Sequence, residues 1–193
     1  MFKRLSILCL WITGWETDVH FPPRLKKCII IVGPHTSAWD IVMGVLYRSA
    51  AGMSGTRFLG KQELFDSPVG FLFKWMGGTP VDRFSKQNMV DQVIEIFNCQ
   101  EELRLALSPE GTRQKVSRLR TGFYHIARGA KVPIIMAGMD FKNKTLVFSK
   151  SFYPGSNEAL EQQKVIHFFA SIQGKNPQLG MVHLLKREFE NSI

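Results

Sequence analysis

The sequence predicts an α/β fold: a single domain in which helices flank a mixed β-sheet. Short β-branched apolar runs alternate along the chain with stretches of helical apolar spacing. No Pro/Gly/Ser-rich linker and no internal repeat divides the 193 residues. Polar, glycine-bearing clusters follow several of the apolar runs, which is where sites in α/β sheets gather. Hydrophobic residues make up 45% of the chain and charged residues 21%, a composition that builds a packed core rather than a disordered tail.

Residues 1–24 read as a segment apart from the main domain, 25–193. Lys3 and Arg4 precede the apolar stretch Leu5 to Ile12, the opening of a signal peptide. The bulky, acidic Trp15-Glu16-Thr17-Asp18 that follows offers no small-residue cleavage site. Two readings of the stretch stay open: a helix lying in a membrane interface with Trp11 and Trp15 at headgroup depth, or an element packed on the core. No run approaches the ~18 apolar residues that cross a bilayer.

Lys27 to Val32 is a β-branched run closed by Gly33-Pro34, the pattern of a fully buried strand. Trp39 to about Tyr47 reads as a buried helix, Thr56 to Leu59 as a strand stopped by Gly60, and Val69 to Trp75 as a helix stopped at Gly77-Gly78. Met89, Val90, Val93, Ile94 and Phe97 share one helical face, opposite Asp91, Gln92 and Glu95. Leu103, Leu105 and Leu107 alternate at strand periodicity. Val132 to Ala137 and Thr145 to Phe148 predict two further strands. Val165, Phe168, Phe169 and Ile172 recur at i, i+3, i+4 and i+7, a helix near the carboxy terminus.

Three clusters carry candidate chemistry. His35-Thr36-Ser37-Ala38-Trp39-Asp40 follows the first strand. On a continuous helix His35 and Asp40 would point about 140° apart. With His35 in the turn and Asp40 in the first turns of the helix, they can meet. Asp40 would then fix the imidazole tautomer and leave the other ring nitrogen as a general base. The plainer alternative has Thr36 or Ser37 capping the helix and His35 exposed. Gly77 to Arg83 forms the second cluster, readable equally as a glycine turn, a short edge strand and a surface ion pair. The third, Ser108-Pro109-Glu110-Gly111-Thr112-Arg113, offers backbone N–H groups and a guanidinium to an anion. Lys115, Arg118 and Arg120 follow it, making this the most cationic stretch of the chain.

In this order and spacing the segments resemble the glycerolipid acyltransferase family, which includes glycerol-3-phosphate and 1-acylglycerol-3-phosphate acyltransferases. His35 and Asp40 match its H-x4-D block, and Gly77 to Arg83 match G-x-x-x-[IV]-D-R. Pro109 to Arg113 reproduce P-E-G-T-R, and Val132-Pro133-Ile134 matches a V-P-I strand start. Leu59 to Leu64 is similar to the lysine-bearing stretch between the first two blocks. The sequence departs from the pattern at Pro34, Ser108 and Met136, where relatives carry Asn, Phe and a second proline. Its Gly-Pro-His-Thr-Ser-x-Trp-Asp form is similar to that of short bacterial members.

The resemblance implies a glycerol-3-phosphate acyltransferase-like fold and transfer of a fatty acyl group from acyl-CoA or acyl-carrier protein to the hydroxyl of a lysophospholipid-like acceptor, 1-acylglycerol-3-phosphate foremost. A lyso-aminolipid is the alternative acceptor, and non-catalytic binding of anionic lipid the alternative function. His35 is implied as general base and Asp40 as its orienting partner. Lys61, Arg83, Glu110, Gly111, Thr112 and Arg113 are implied to hold the acceptor and its phosphate. Pro133 belongs to a block on the acyl-donor side or has a structural place only.

No cofactor is implied beyond the acyl donor as co-substrate, and the expected location is cytoplasmic, peripheral on the inner membrane. Lys and Arg number 25 against 16 Asp and Glu, a net charge of +9 that attracts anionic lipid headgroups. Nucleic acid is not expected, because the basic residues cluster at a candidate anion loop and no binding motif is present. A metal is not expected either, since His20, His125, His167 and His183 lack ligand spacing. Cys9, Cys28 and Cys99 are odd in number and far apart, which argues against a disulfide scaffold.

Overall fold

The computed structural model describes residues 2–17, 21, 25–53, 55–81 and 88–185. Its elements run α1 (Phe2–Ile12), β1 (Lys27–Gly33), α2 (Trp39–Ala50), β2 (Thr56–Lys61), α3 (Gln62–Phe65), α4 (Gly70–Trp75) and β3 (Gly78–Val81). They continue with α5 (Met89–Cys99), β4 (Leu103–Leu107), α6 (Gly122–Ala130), β5 (Ile134–Asp140), β6 (Thr145–Phe148) and α7 (Glu158–Ala170). The six strands form one sheet in the order β3-β2-β4-β1-β5-β6. The first five are parallel, and β6 returns antiparallel to β5, so the sheet is mixed.

The central strands are apolar on both sides because both faces are covered. Ile29 and Ile31 of β1 face a layer built from α5, α6 and α7, packing with Val93, Phe97, Phe123, Val165 and Phe169. Cys28 and Ile30, one residue out of phase, face the opposite side with Phe21, Met53, Ile135 and Ala137. Beside them α2 packs through Met43 and Tyr47 against Leu10 of α1, Trp15 and Met139. The helix following β1 therefore lies on one face and the helix following β4 on the other. Adjacent parallel strands whose connections diverge in this way leave a crevice at their carboxyl ends.

Helix α6 is absent from the sequence reading. Its glycines at both ends break the pattern, yet Phe123, Tyr124, Ile126 and Ala127 are all buried. At Gly129 the helix packs closely on α5: a Cβ there would fall 2.3 Å from Ile94 Cδ1, so the Ile94 side chain would have to shift. Helix α7 starts seven residues before Val165, where Asn157 accepts a hydrogen bond from the Leu160 N–H and caps it. The three cysteines are free.

Candidate active site

The carboxyl ends of β1 and β4 bring the first and third clusters together. His35 lies in the turn after β1, and Asp40 is the second residue of α2. Asp40 Oδ2 lies 3.1 Å from His35 Nδ1 and accepts the backbone N–H groups of Thr36 and Ser37, both at 2.8 Å. The carboxylate reaches back from the helix to fold the preceding turn around itself. That grip orients the imidazole with Nδ1 toward the acid. Nε2 has no hydrogen-bond partner among the described residues, and the His35 side chain keeps 22% exposure. Ser37 Oγ accepts the Trp39 N–H at 3.2 Å, a local turn bond just ahead of α2, whose N-cap position is Ala38 with no side-chain cap.

Glu110 supplies a second grip from the neighbouring strand. Its Oε2 accepts the His35 backbone N–H at 2.5 Å, and the residue is only 3% exposed. Burial pushes its carboxyl up to about 7; the His35 N–H and imidazole pull it down, and the Asp40 charge pushes it up. Glu110 thus sits beneath His35, whereas Arg113, three residues further along the loop, is exposed. Gly111 takes a positive φ of 64°, a backbone conformation that costs glycine nothing. The Arg120 side chain lies across it, since a Cβ there would fall 2.6 Å from Arg120 Nε. Thr112 Oγ1 accepts the Gln114 N–H at 3.3 Å.

Of the second cluster, Gly77 has φ +90°, and a side chain there would meet Arg48 Nη1 at 2.5 Å and the Thr56 carbonyl at 2.9 Å. Gly78 then opens β3, the edge strand. Arg83 lies outside the described residues. Lys61 ends β2, two strands from β1. Pro133 stands at the opposite, amino-terminal end of the strands from His35: it precedes β5, and its carbonyl accepts the Ile29 N–H at 2.9 Å. Five strand residues separate that level from the end of β1, about 17 Å at ~3.3 Å per residue.

A family model described as Acyltransferase matches residues 16–140. The chain belongs to the Acyltransferase family. A relative from Cocos nucifera, named as a 1-acyl-sn-glycerol-3-phosphate acyltransferase, is 24% identical over 184 residues, covering 86% of this chain. The chain spans only 58% of that relative's length. The crystal structure of the 1-acyl-sn-glycerophosphate (LPA) acyltransferase PlsC from Thermotoga maritima superposes with a TM-score of 0.58 at 14% identity, covering 86% of this chain and 74% of PlsC. At that identity the likeness is one of fold.

This acyltransferase-family chain holds its first block by one further contact that the sequence did not reveal. Thr36 is 2% exposed. Its Oγ1 accepts the Asn176 N–H at 3.2 Å, and its carbonyl accepts Asn176 Nδ2 at 2.8 Å. Gly174 lets this segment approach, since a Cβ there would come within 2.7 Å of Thr36 Oγ1. Locally, Asn176-Pro177 reads only as a turn, so no sequence signal marks it. Among the described residues, no group of three or more His, Cys, Asp or Glu is placed to hold a metal ion.

Proposed function

We propose that this chain is an O-acyltransferase that moves a fatty acyl group from a thioester to the hydroxyl of a lysophospholipid-like acceptor, 1-acylglycerol-3-phosphate foremost. The observation that carries the reading is the His35–Asp40 contact of 3.1 Å, with the imidazole's other nitrogen uncommitted among the described residues. An alcohol is too weak an acid to ionise at neutral pH, so its proton must leave as the new bond forms. Nε2 accepts that proton while the hydroxyl oxygen attacks the thioester carbonyl. The C–S bond breaks, and the imidazolium returns the proton to the departing thiolate. Asp40 stabilises the transient imidazolium, and Glu110 fixes the backbone that carries it. The exposed Arg113 guanidinium, with Lys61 and Arg83, holds the acceptor's phosphate, a task suited to arginine's bidentate fork.

The same reading places the protein on a membrane surface through an apolar face. Helix α1 buries Leu10 yet exposes Phe2, Leu5, Leu8, Trp11 and Ile12. Phe71, Leu72 and Trp75 of α4 are also exposed, and Phe2 meets Trp75 edge-on with ring centroids 5.4 Å apart. The two helices thus present one apolar surface, bordered by the cations Lys3 and Arg4. Such a face enters the headgroup region of an anionic monolayer. No helix among the described residues is long and apolar enough to cross a membrane.

Release of free thiol from palmitoyl-CoA, with and without a panel of lysolipids, tests the function. Acceptor-dependent release in the wild type and its loss in folded His35→Ala are expected. Full activity in folded His35→Ala would end the assignment of the base. Vesicle binding with no thioester consumed, from either acyl-CoA or acyl-carrier protein, would show a binding protein instead.

A further inference from the structure

We propose that His183 is a positioning residue of the acyl transfer: it ties the loop carrying Arg113 to the segment that grips Thr36, and so fixes the acceptor's phosphate relative to the catalytic base. This deepens the acyltransferase reading above and rests on it. Residues 108–121, between β4 and α6, form no helix or strand. The base of this loop is closed by the Arg120 N–H, which donates to the Pro109 carbonyl at 2.8 Å. Toward the tip Arg113, Gln114 and Lys115 are exposed, and the Gln114 N–H makes a long bond of 3.3 Å to Thr112 Oγ1. A guanidinium on such a tip takes its position from whatever holds the loop from outside.

That hold comes from the chain beyond α7. His183 Nε2 lies 2.6 Å from the Val116 carbonyl, 67 positions away, and Nδ1 lies 2.9 Å from the Gly180 carbonyl. A carbonyl only accepts, so each contact needs an N–H on the ring. The ring protonated at Nε2 holds Val116, and the imidazolium holds both carbonyls. The platform beneath is firm: Met181 and Leu184, on either side of His183, are buried in the core with Phe169. The same segment reaches the first block, where Asn176 bonds Thr36 twice, and the Gln173 carbonyl accepts the Phe141 N–H at 2.9 Å. Beside His183 the two segments do not close-pack. Lys115 of the loop and Pro177, Gln178 and Val182 of the returning segment line a hollow of about 240 Å³. A directed bond therefore does here what packing does elsewhere in the core. Residues 173–185 lie beyond the stretch 16–140 that the family model matches, so the tie joins the shared blocks from outside them.

Two near-isosteres test the tie. Glutamine places its amide nitrogen where Nε2 stands, and asparagine places it where Nδ1 stands. Steady-state assays should compare wild type, His183→Gln and His183→Asn on 1-acylglycerol-3-phosphate and on a phosphate-free monoacylglycerol. His183→Asn is expected to raise KM for the phosphate-bearing acceptor about fivefold, the loss of one hydrogen bond. Its kcat, and its kinetics on the phosphate-free acceptor, should change little, and His183→Gln should stay near wild type. Hydrogen exchange across residues 113–118 should quicken in His183→Asn and not in His183→Gln. Wild-type KM in folded His183→Asn overturns the proposal. Equal losses in both variants on both acceptors also overturn it, because they mark a histidine that only supports the fold. Calorimetric binding of a short-chain 1-acylglycerol-3-phosphate, with no donor present, separates the proposal from the reaction it serves. Binding weakened in His183→Asn alone, beside a wild type that transfers no acyl group, ends the acyltransferase reading and keeps the tie. Acyl transfer by all three proteins at one KM keeps the reaction and ends the tie.

Discussion

Replacing Glu110 by Gln separates its charge from its shape. Glutamine keeps an oxygen to accept the His35 N–H but never ionises. Burial raises the Glu110 carboxyl from its ordinary 4.5 to about 7 in the folded protein. Folding therefore favours the protonated acid. Below about pH 4.5 the folded and unfolded chains both hold the proton. Between about 4.5 and 7 only the folded chain does, so stability falls as pH rises across that window. At ~1.4 kcal/mol per unit, the span amounts to about 3 kcal/mol. Glu110→Gln has no such slope. Urea unfolding at a series of pH values from 4.5 to 8 should show the variant gaining on the wild type by about 3 kcal/mol, with a plateau above 7. Parallel curves for the two proteins would refute both the burial argument and the charge assigned to the site. Glu110→Ala, which leaves the His35 N–H without its acceptor, should lower kcat where Glu110→Gln largely preserves it.

Asn176→Ala removes the Nδ2 contact to the Thr36 carbonyl and keeps the backbone N–H bond to Thr36 Oγ1. It should lower kcat about tenfold, with donor and acceptor KM little changed; equal falls in folded content would point to a structural role alone. Gly111→Ala forces a side chain into a positive-φ turn and into Arg120, and should lower stability by about 1–3 kcal/mol in thermal unfolding. Arg113→Ala should raise KM for a phosphate-bearing acceptor and leave a phosphate-free one unaffected, as steady-state assays with the paired lipids would show. Phe71, 73% exposed, and Trp11 can both be made Ser without touching the core. Sedimentation with anionic vesicles should then show binding weakened about tenfold or more, at an unchanged melting temperature.

Much of this architecture is written locally. The period of two in Leu103–Leu107 and the shared face of Met89, Val93 and Phe97 follow from chain geometry alone, so β4 and α5 were legible without a structure. So was the condition for His35 to reach Asp40: one in a turn, the other just inside a helix. Helix α6 escaped because glycines at its ends mask its apolar spacing. The edge strand β3 was foreseen as part of the plain reading of Gly77 to Arg83, a glycine turn followed by a short edge strand.

What the tertiary structure alone decided is which of these residues meet. Glu110 lies 75 positions from His35, and Asn176 lies 140 from Thr36. Nothing in either local sequence encodes those pairings. They depend on β4 inserting beside β1, and on the chain beyond α7 returning across the carboxyl end of the sheet. Strand order is set by the summed burial of both sheet faces, a property of the whole chain that no window of residues contains. The sequence by itself determined the elements, the excess positive charge and the residue types at the site. The fold determined that Glu110 turns inward to hold His35, and that Asn176 reaches Thr36.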